Sequence, residues 1–145
     1  MLSNQNIISK EHYADLFFEI RASSLKDVYF YSAIAHKISA IDNYSITNYE
    51  IKEFKFENNE RELNLIEFLN ELNYLIFSEG KVFEEILSFE EIILDEKFIH
   101  IFEVKFSIID KEKTEYKREL KAVSYAQAKL EQNNGVYFFT YIIDI

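Results

Sequence analysis

The sequence predicts an α+β fold, with a helical N-terminal half packed on one face of a small antiparallel sheet and a C-terminal β-β-α-β unit. Residues 60–78 place leucines at helical spacing, residues 97–109 alternate apolar with polar, and a chain of 145 residues suits one domain spanning 1–145. No low-complexity linker or internal repeat divides it.

Ser9 is placed to cap a first helix, because Tyr13, Leu16, Phe17 and Ile20 follow i, i+3, i+4, i+7 spacing. Ser23 and Ser24 break that pattern. Ser24, with Asp27 three residues on, opens a second helix striped by Leu25, Val28, Tyr31, Ala35 and Ile38, ending near Asp42-Asn43. One kinked helix fits the same residues. Tyr44 to Phe56 reads as extended, but Tyr49 and Ile51 share one parity and Phe54 and Phe56 the other, which predicts a bulge or bend.

Asn59 and Glu62 form a capping-box pattern before a helix over 60–78, in which Leu65, Leu69, Leu72 and Ile76 make one stripe. Glu60, Asn64, Glu67 and Glu71 make a second stripe on the opposite side, read as an acidic outer face. Gly80 is positioned to end this helix in the left-handed conformation. Lys81 to Asp95 is ambiguous. Val82, Phe83, Ile86 and Leu87 fit a short helix, whereas Ile92-Ile93-Leu94 fits the start of a strand.

Phe98, His100, Phe102, Val104, Phe106 and Ile108 then share one face of a half-buried strand. Asp110 to Lys113 gives a polar connection, and Thr114 to Ala122 is expected to return as a strand with Tyr116, Leu120 and Ala122 inward. Ser124 with Gln127 predicts a short helix through Leu130, closed by Gly135. Val136 to Ile143 lacks alternation and reads as a strand buried on both faces or lying at an interface.

Charge is concentrated. The chain has 16 basic and 26 acidic residues, net −10. The window from Glu50 to Glu96 holds fourteen acidic residues against four basic ones, a balance of −10; the remainder has twelve of each sign. Such a field repels nucleic acid, which needs a basic footprint, and attracts basic protein surfaces. The same charge also serves as a solvated face keeping an aromatic-rich chain soluble. Fourteen Phe and ten Tyr fit both the codon usage of an AT-rich genome and an aromatic binding surface; in either case most Phe must be buried.

Zero Cys excludes disulfides, thiolate chemistry and Cys-bound metals, and two Gly with zero Pro exclude phosphate-cradling loops and G-x-S-x-G nucleophile elbows. His12, His36 and His100 are the only candidates for proton transfer near neutral pH, and they show no HExxH or His-x-His spacing. His100, between Phe98 and Phe102, reads as a hydrogen-bonded core or edge histidine. The adjacent pairs Glu84-Glu85, Glu90-Glu91 and Asp95-Glu96 point to opposite faces of whatever element carries them, so each offers one cation ligand per face. No metal or other cofactor is expected. The first ten residues lack a secretory pattern, and no apolar run approaches the roughly 20 residues of a membrane span, so the expected compartment is the cytoplasm with no membrane partner.

The expected function is that of a non-catalytic, acidic protein-binding protein occupying a basic site on a nucleic-acid-handling partner, without touching nucleic acid directly. Glu60, Asn64, Glu67, Glu71, Glu84, Glu85, Glu90 and Glu91 are the candidate contacts. In size, acidity and lack of catalytic motif the chain resembles phage-encoded inhibitors and toxin-immunity proteins. One alternative is a self-associating assembly component, with a homodimer seam along Val136–Ile143. Another is an enzyme using His100 or the clustered carboxylates.

Overall fold

The computed structural model describes residues 6–12 and 15–145. Along the chain run β1 (Ile7–His12), β2 (Asp15–Ala22), α1 (Leu25–Ala40), β3 (Ile41–Asn43), β4 (Ile46–Asn58) and α2 (Arg61–Tyr74). After α2 come a single π turn (Leu75–Glu79), β5 (Lys81–Leu94), β6 (Lys97–Ile109) and a 3₁₀ turn (Lys111–Lys113). The chain closes with β7 (Glu115–Tyr116), β8 (Ala122–Val123), β9 (Lys129–Asn133) and β10 (Val136–Asp144). The class is α+β, as expected, and every strand pairing is antiparallel.

Two sheets enclose the helices. The five-stranded sheet runs β1-β2-β10-β8, with β9 also on β10, and the three-stranded sheet runs β4-β6-β5. A small β3-β7 ribbon stands apart. α1 packs on β2 and β10 and also on β5, while α2 packs on β4 and also on β8 and β9. The helix pair therefore fills the space between the sheets, and each helix buries more than one side.

The local signals for the helices are met. Ser24 Oγ accepts from the Asp27 N–H at 3.2 Å, capping α1. Leu65, Leu69, Leu72 and Ile76 are buried together, and Gly80 ends the helical run at φ 64°. The capping box is not formed: Glu60 is the N-cap, with no side-chain capping bond.

Several elements differ from the sequence reading. The expected Ser9–Ile20 helix is a hairpin of β1 and β2, with Leu16, Phe18, Ile20 and Ala22 inward at period two. Tyr13 and the side chains of Ser9 and His12 lie outside the described residues. β4 keeps unbroken register with β6 from Asn48 to Asn58, so no bend moves its apolar face. Phe54 points inward, and Tyr49 and Ile51 stand exposed on the opposite face.

Lys81–Leu94 is one strand. Its inward residues Phe83, Ile86 and Phe89 oppose Phe106, Val104 and Phe102, three apart on one strand and two apart on the other. Two bulges, each adding a residue, give a strand the spacing of a helix.

The expected return strand over 114–122 shrinks to β7, which pairs with β3, and Tyr116 is exposed while Leu120 is buried. The Ser124–Leu130 helix is absent. Ser124 Oγ does accept from a backbone N–H, that of Ala126, but Gln127 at φ 65° turns the chain into β9. Asn134-Gly135, both at positive φ, then close the β9–β10 hairpin. β10 does alternate. Phe139, Tyr141 and Ile143 are buried on its inner face, and both hydrogen-bonding edges are occupied, leaving none free for a dimer seam.

Most phenylalanines lie between the helices and the three-stranded sheet. Tyr29 and Phe102 have ring centroids 4.7 Å apart, Phe68 and Phe102 5.0 Å, and Phe54 and Phe68 5.4 Å.

Candidate functional site

The eight acidic-face candidates fall into three environments. Asn64 is fully buried: its Oδ1 accepts from Asn58 Nδ2 at 2.7 Å and its Nδ2 donates to the Phe98 carbonyl at 3.0 Å. It belongs to the core because α2 is covered on two sides. Glu67 is half-buried, Glu71 sits 3.8 Å from Lys52, and Glu60 is exposed at the helix start.

Glu91 and Glu84 are engaged inside. Glu91 accepts two hydrogen bonds from Arg61, from Nε and an Nη at 2.8 Å each, and one from His100 Nε2 at 2.7 Å. Arg61 also stacks over Phe98, its guanidinium carbon 4.5 Å from the ring centroid. On the other side of the imidazole, His100 Nδ1 meets Asn64 Nδ2 at 3.2 Å and the Tyr29 hydroxyl; an amide nitrogen only donates, so Nδ1 is the acceptor and the neutral ring carries its proton on Nε2. The Arg61 hydrogen bonds hold the Glu91 carboxyl below its usual range. Burial keeps His100 below the usual histidine value and pushes the Tyr29 hydroxyl well above that of a free tyrosine.

Glu84 is the extra residue of the first β5 bulge. Its Oε1 accepts from Ser107 Oγ at 2.7 Å, Tyr44 O–H at 3.0 Å and Lys37 Nζ at 3.4 Å. Lys37 also donates to the Phe83 carbonyl at 3.1 Å. The third group, Glu85 and Glu90, is exposed.

Both networks are buried at their centres and reach the surface at their rims, where Arg61 lines a cavity of about 170 Å³ with Glu62, Phe98, Leu130 and Tyr137. Tyr29, His100 and Ser107 are fully buried, and the donors and acceptors named above answer one another. They tie α1, α2, β5 and β6 together. His36 is similarly enclosed, with Nε2 donating to Asn73 Oδ1 at 2.8 Å, and burial lowers it to about 4. Among the described residues no three His, Asp or Glu side chains gather closely enough to hold a metal ion. No helix among them is long and apolar enough to cross a membrane.

What remains is the outer face of the three-stranded sheet. Eleven large hydrophobic side chains are exposed among the described residues, and seven are on this sheet: Ile46, Tyr49, Ile51, Leu87, Ile92 and Leu94, and Ile93, which lies across from Phe98 on the other face. The cross-strand register places Ile51, Lys105 and Glu85 in one row. The next rows are Glu53, Glu103 and Ser88, and then Lys55, Ile101 and Glu90. Glu53 and Glu103 thus face each other directly, and neither has an ion-pair partner among the described residues. One cation stands a row away on each side, Lys105 over the Tyr49 ring at 4.4 Å and Lys55 across from Ile101. A like-charge cross-strand pair destabilises a sheet.

Sequence reasoning missed Tyr49, Ile51, Glu53 and Glu103. The parity clash within β4 was their signal: Tyr49 and Ile51 sit on the face opposite Phe54, which marks the strand as apolar on both sides.

Residues 9–145 match the model of the Archease protein family (MTH1598/TM1083). The chain belongs to that family. Among solved structures, protein 1598 of Methanobacterium thermoautotrophicum, determined in solution, is similar over 97% of this chain and 99% of its own. Its TM-score is 0.79 at 18% identity. A crystal structure from Thermotoga maritima, described as an archease and possible chaperone, is similar over 94% of each chain, with a TM-score of 0.66 at 22% identity. At these identities the likeness shows the fold alone. No curated protein sequence matches the chain.

Proposed function

We propose that this protein is a non-catalytic docking factor that binds a basic, partly apolar surface of a partner protein through the outer face of its three-stranded sheet. The observation that carries the reading is the concentration of exposed Tyr49, Ile51, Leu87, Ile92 and Leu94 on one sheet, together with Glu53, Glu85, Glu90 and Glu103. The apolar groups on either side supply affinity, and the carboxylates between them select a cationic partner and speed encounter. The description of the Thermotoga protein as a possible chaperone fits an accessory role of this kind. The family match lends nothing to the inhibitor or immunity reading, nor to imitation of nucleic acid.

The test is a footprint. The native complex is captured by crosslinking in the source cells, and amide exchange is compared for the free and bound protein. Protection is expected on 46–58, 85–94 and 97–105, with affinity falling steeply as salt rises. Protection confined to the five-stranded sheet, or affinity indifferent to salt, would overturn the reading.

A further inference from the structure

The two borders of the three-stranded sheet are treated differently. Along β5, the bulges at Phe83/Glu85 and Ile86/Ser88 interrupt the edge, and Lys37 from α1 takes the Phe83 carbonyl. Those are ordinary ways of blunting an exposed strand. From Asn48 to Asn58 β4 has no bulge and no covering side chain, and its edge is guarded by charge alone, Glu53, Lys55 and Glu57. It contains no Gly or Pro, its register is unbroken from Asn48 to Asn58, and it is the last strand on its side. Among the described residues, no backbone hydrogen bond joins 48–58 to any segment other than β6.

One bond reports the phase of the free edge. The Tyr49 N–H is taken by Asn48 Oδ1 at 2.8 Å, not by β6. In an antiparallel ladder the residues turned away from the partner alternate, so Ile51, Glu53, Lys55 and Glu57 present both N–H and C=O outward. The side chains at these positions lie on the exposed outer face. Backbone groups and side chains of one residue set are thus both available along the same edge.

We infer that β4 receives an extended segment of a basic partner protein as an added strand, with an apolar residue beside Ile51 and a Lys or Arg beside Glu53. This rests on the docking reading above and specifies its partner and mode. Strand addition gains affinity from main-chain hydrogen bonds, and specificity comes from alternate side chains. Residues two apart on the incoming strand fall on one face, which turns the Ile51–Glu53 order into an apolar-x-cation pattern. A second copy of this chain is disfavoured, because each copy brings net −10 to the seam and pairing centred on Glu53 sets carboxylate against carboxylate.

The test uses the full chain and the peptide Val-Thr-Lys-Thr-Val-Thr-Lys-Thr. It is compared with two versions N-methylated at alternate residues, one for each hydrogen-bonding edge. Amide NMR is expected to show slowed exchange at Ile51, Glu53 and Lys55 with the unmodified peptide. One methylated version is expected to bind at least tenfold more weakly and the other to bind normally. The Glu53→Lys protein is expected to lose at least tenfold in affinity for the unmodified peptide while keeping its fold by NMR. Equal binding of all three peptides, no binding at millimolar concentration, or shifts centred on another strand would overturn strand addition. The docking reading falls only by the footprint, so the two failures are separable.

Discussion

The two sheets are packed on the same pair of helices, yet their outer surfaces are finished differently. The five-stranded sheet carries none of the eleven exposed large hydrophobics, and its central strand β10 is paired on both sides. The three-stranded sheet has seven of them and a straight, unpaired border. Packing alone would treat the two alike, since each needs one inner face covered. The apolar excess of the smaller sheet, with the Glu53–Glu103 pair at its centre, is the surface through which docking is proposed. On the docking proposal, the exposed apolar residues near Tyr49 and Ile51 and those near Ile92 and Leu94 flank the Glu53–Glu103 row.

Mutations can separate the two faces of that sheet. The largest effect belongs to the inner face. Phe102→Ala, in the ring cluster with Tyr29, Phe54 and Phe68, should destabilise by about 3–5 kcal/mol in urea denaturation. Ile51→Ala, on the outer face of the same sheet, should stay within about 0.5 kcal/mol. Comparable losses would mean that the outer face is structural.

Acid should act through the interior. His36 is lowered by burial to about 4 from an ordinary 6.5, so below pH 6.5 the unfolded chain takes up a proton that the folded one refuses. Stability should therefore be complete above 6.5 and fall as pH drops towards 4, by on the order of 3 kcal/mol. His100 and Glu91, also lowered, add in the same direction. Urea midpoints against pH should flatten over that window in His36→Gln; an unchanged slope would remove His36 as the source.

Glu84 and Glu85 are neighbours with opposite fates. Glu84→Ala leaves Ser107, Tyr44 and Lys37 without their shared acceptor and should cost about 2 kcal/mol. Glu85→Ala should change unfolding by under about 0.5 kcal/mol while weakening a cationic partner. The smallest effect has the opposite sign. Glu103→Lys removes the like-charge pair with Glu53 and should stabilise the free protein by a few tenths of a kcal/mol while slowing association with a basic partner. A variant both less stable and unchanged in binding would break the contrast.

Much of the helical framework is legible in the residues. The Ser24 cap, the leucine stripe of α2 and Gly80 are local, and local chemistry decides them. β6 is legible because its alternation is uninterrupted. The first hairpin is not, because 16–22 supports both periods: Leu16, Phe17 and Ile20 at helical spacing, Leu16, Phe18, Ile20 and Ala22 at strand spacing. Pairing with β10, far along the chain, chooses between them. β5 hides behind its bulges.

Part of the candidate site was visible and part was not. Glu85 and Glu90 are exposed, as the acidic pairs of the sequence lead one to expect. Asn64 was placed on an outer face because periodicity within one helix cannot reveal that a second layer covers the opposite side. Glu103 was passed over as one polar position of an alternating strand. Its meaning comes from lying across from Glu53, which only the register supplies.

The seating of β10 beside β2 bears on how the molecule forms. Their paired residues are separated by 115 positions at Tyr137–Ala22 and by 129 at Asp144–Asp15. No local event can close that ladder, and the entropy of so long a loop is spent before any contact rewards it. Refolding should accordingly be slow for a chain of this length, with the α1–α2 and β5–β6 neighbourhoods organised early and β2 waiting for its neighbour. During that interval the hairpin of β1 and β2 has an open side, and the window in which the chain is most prone to associate wrongly is set by the arrival of a single late strand.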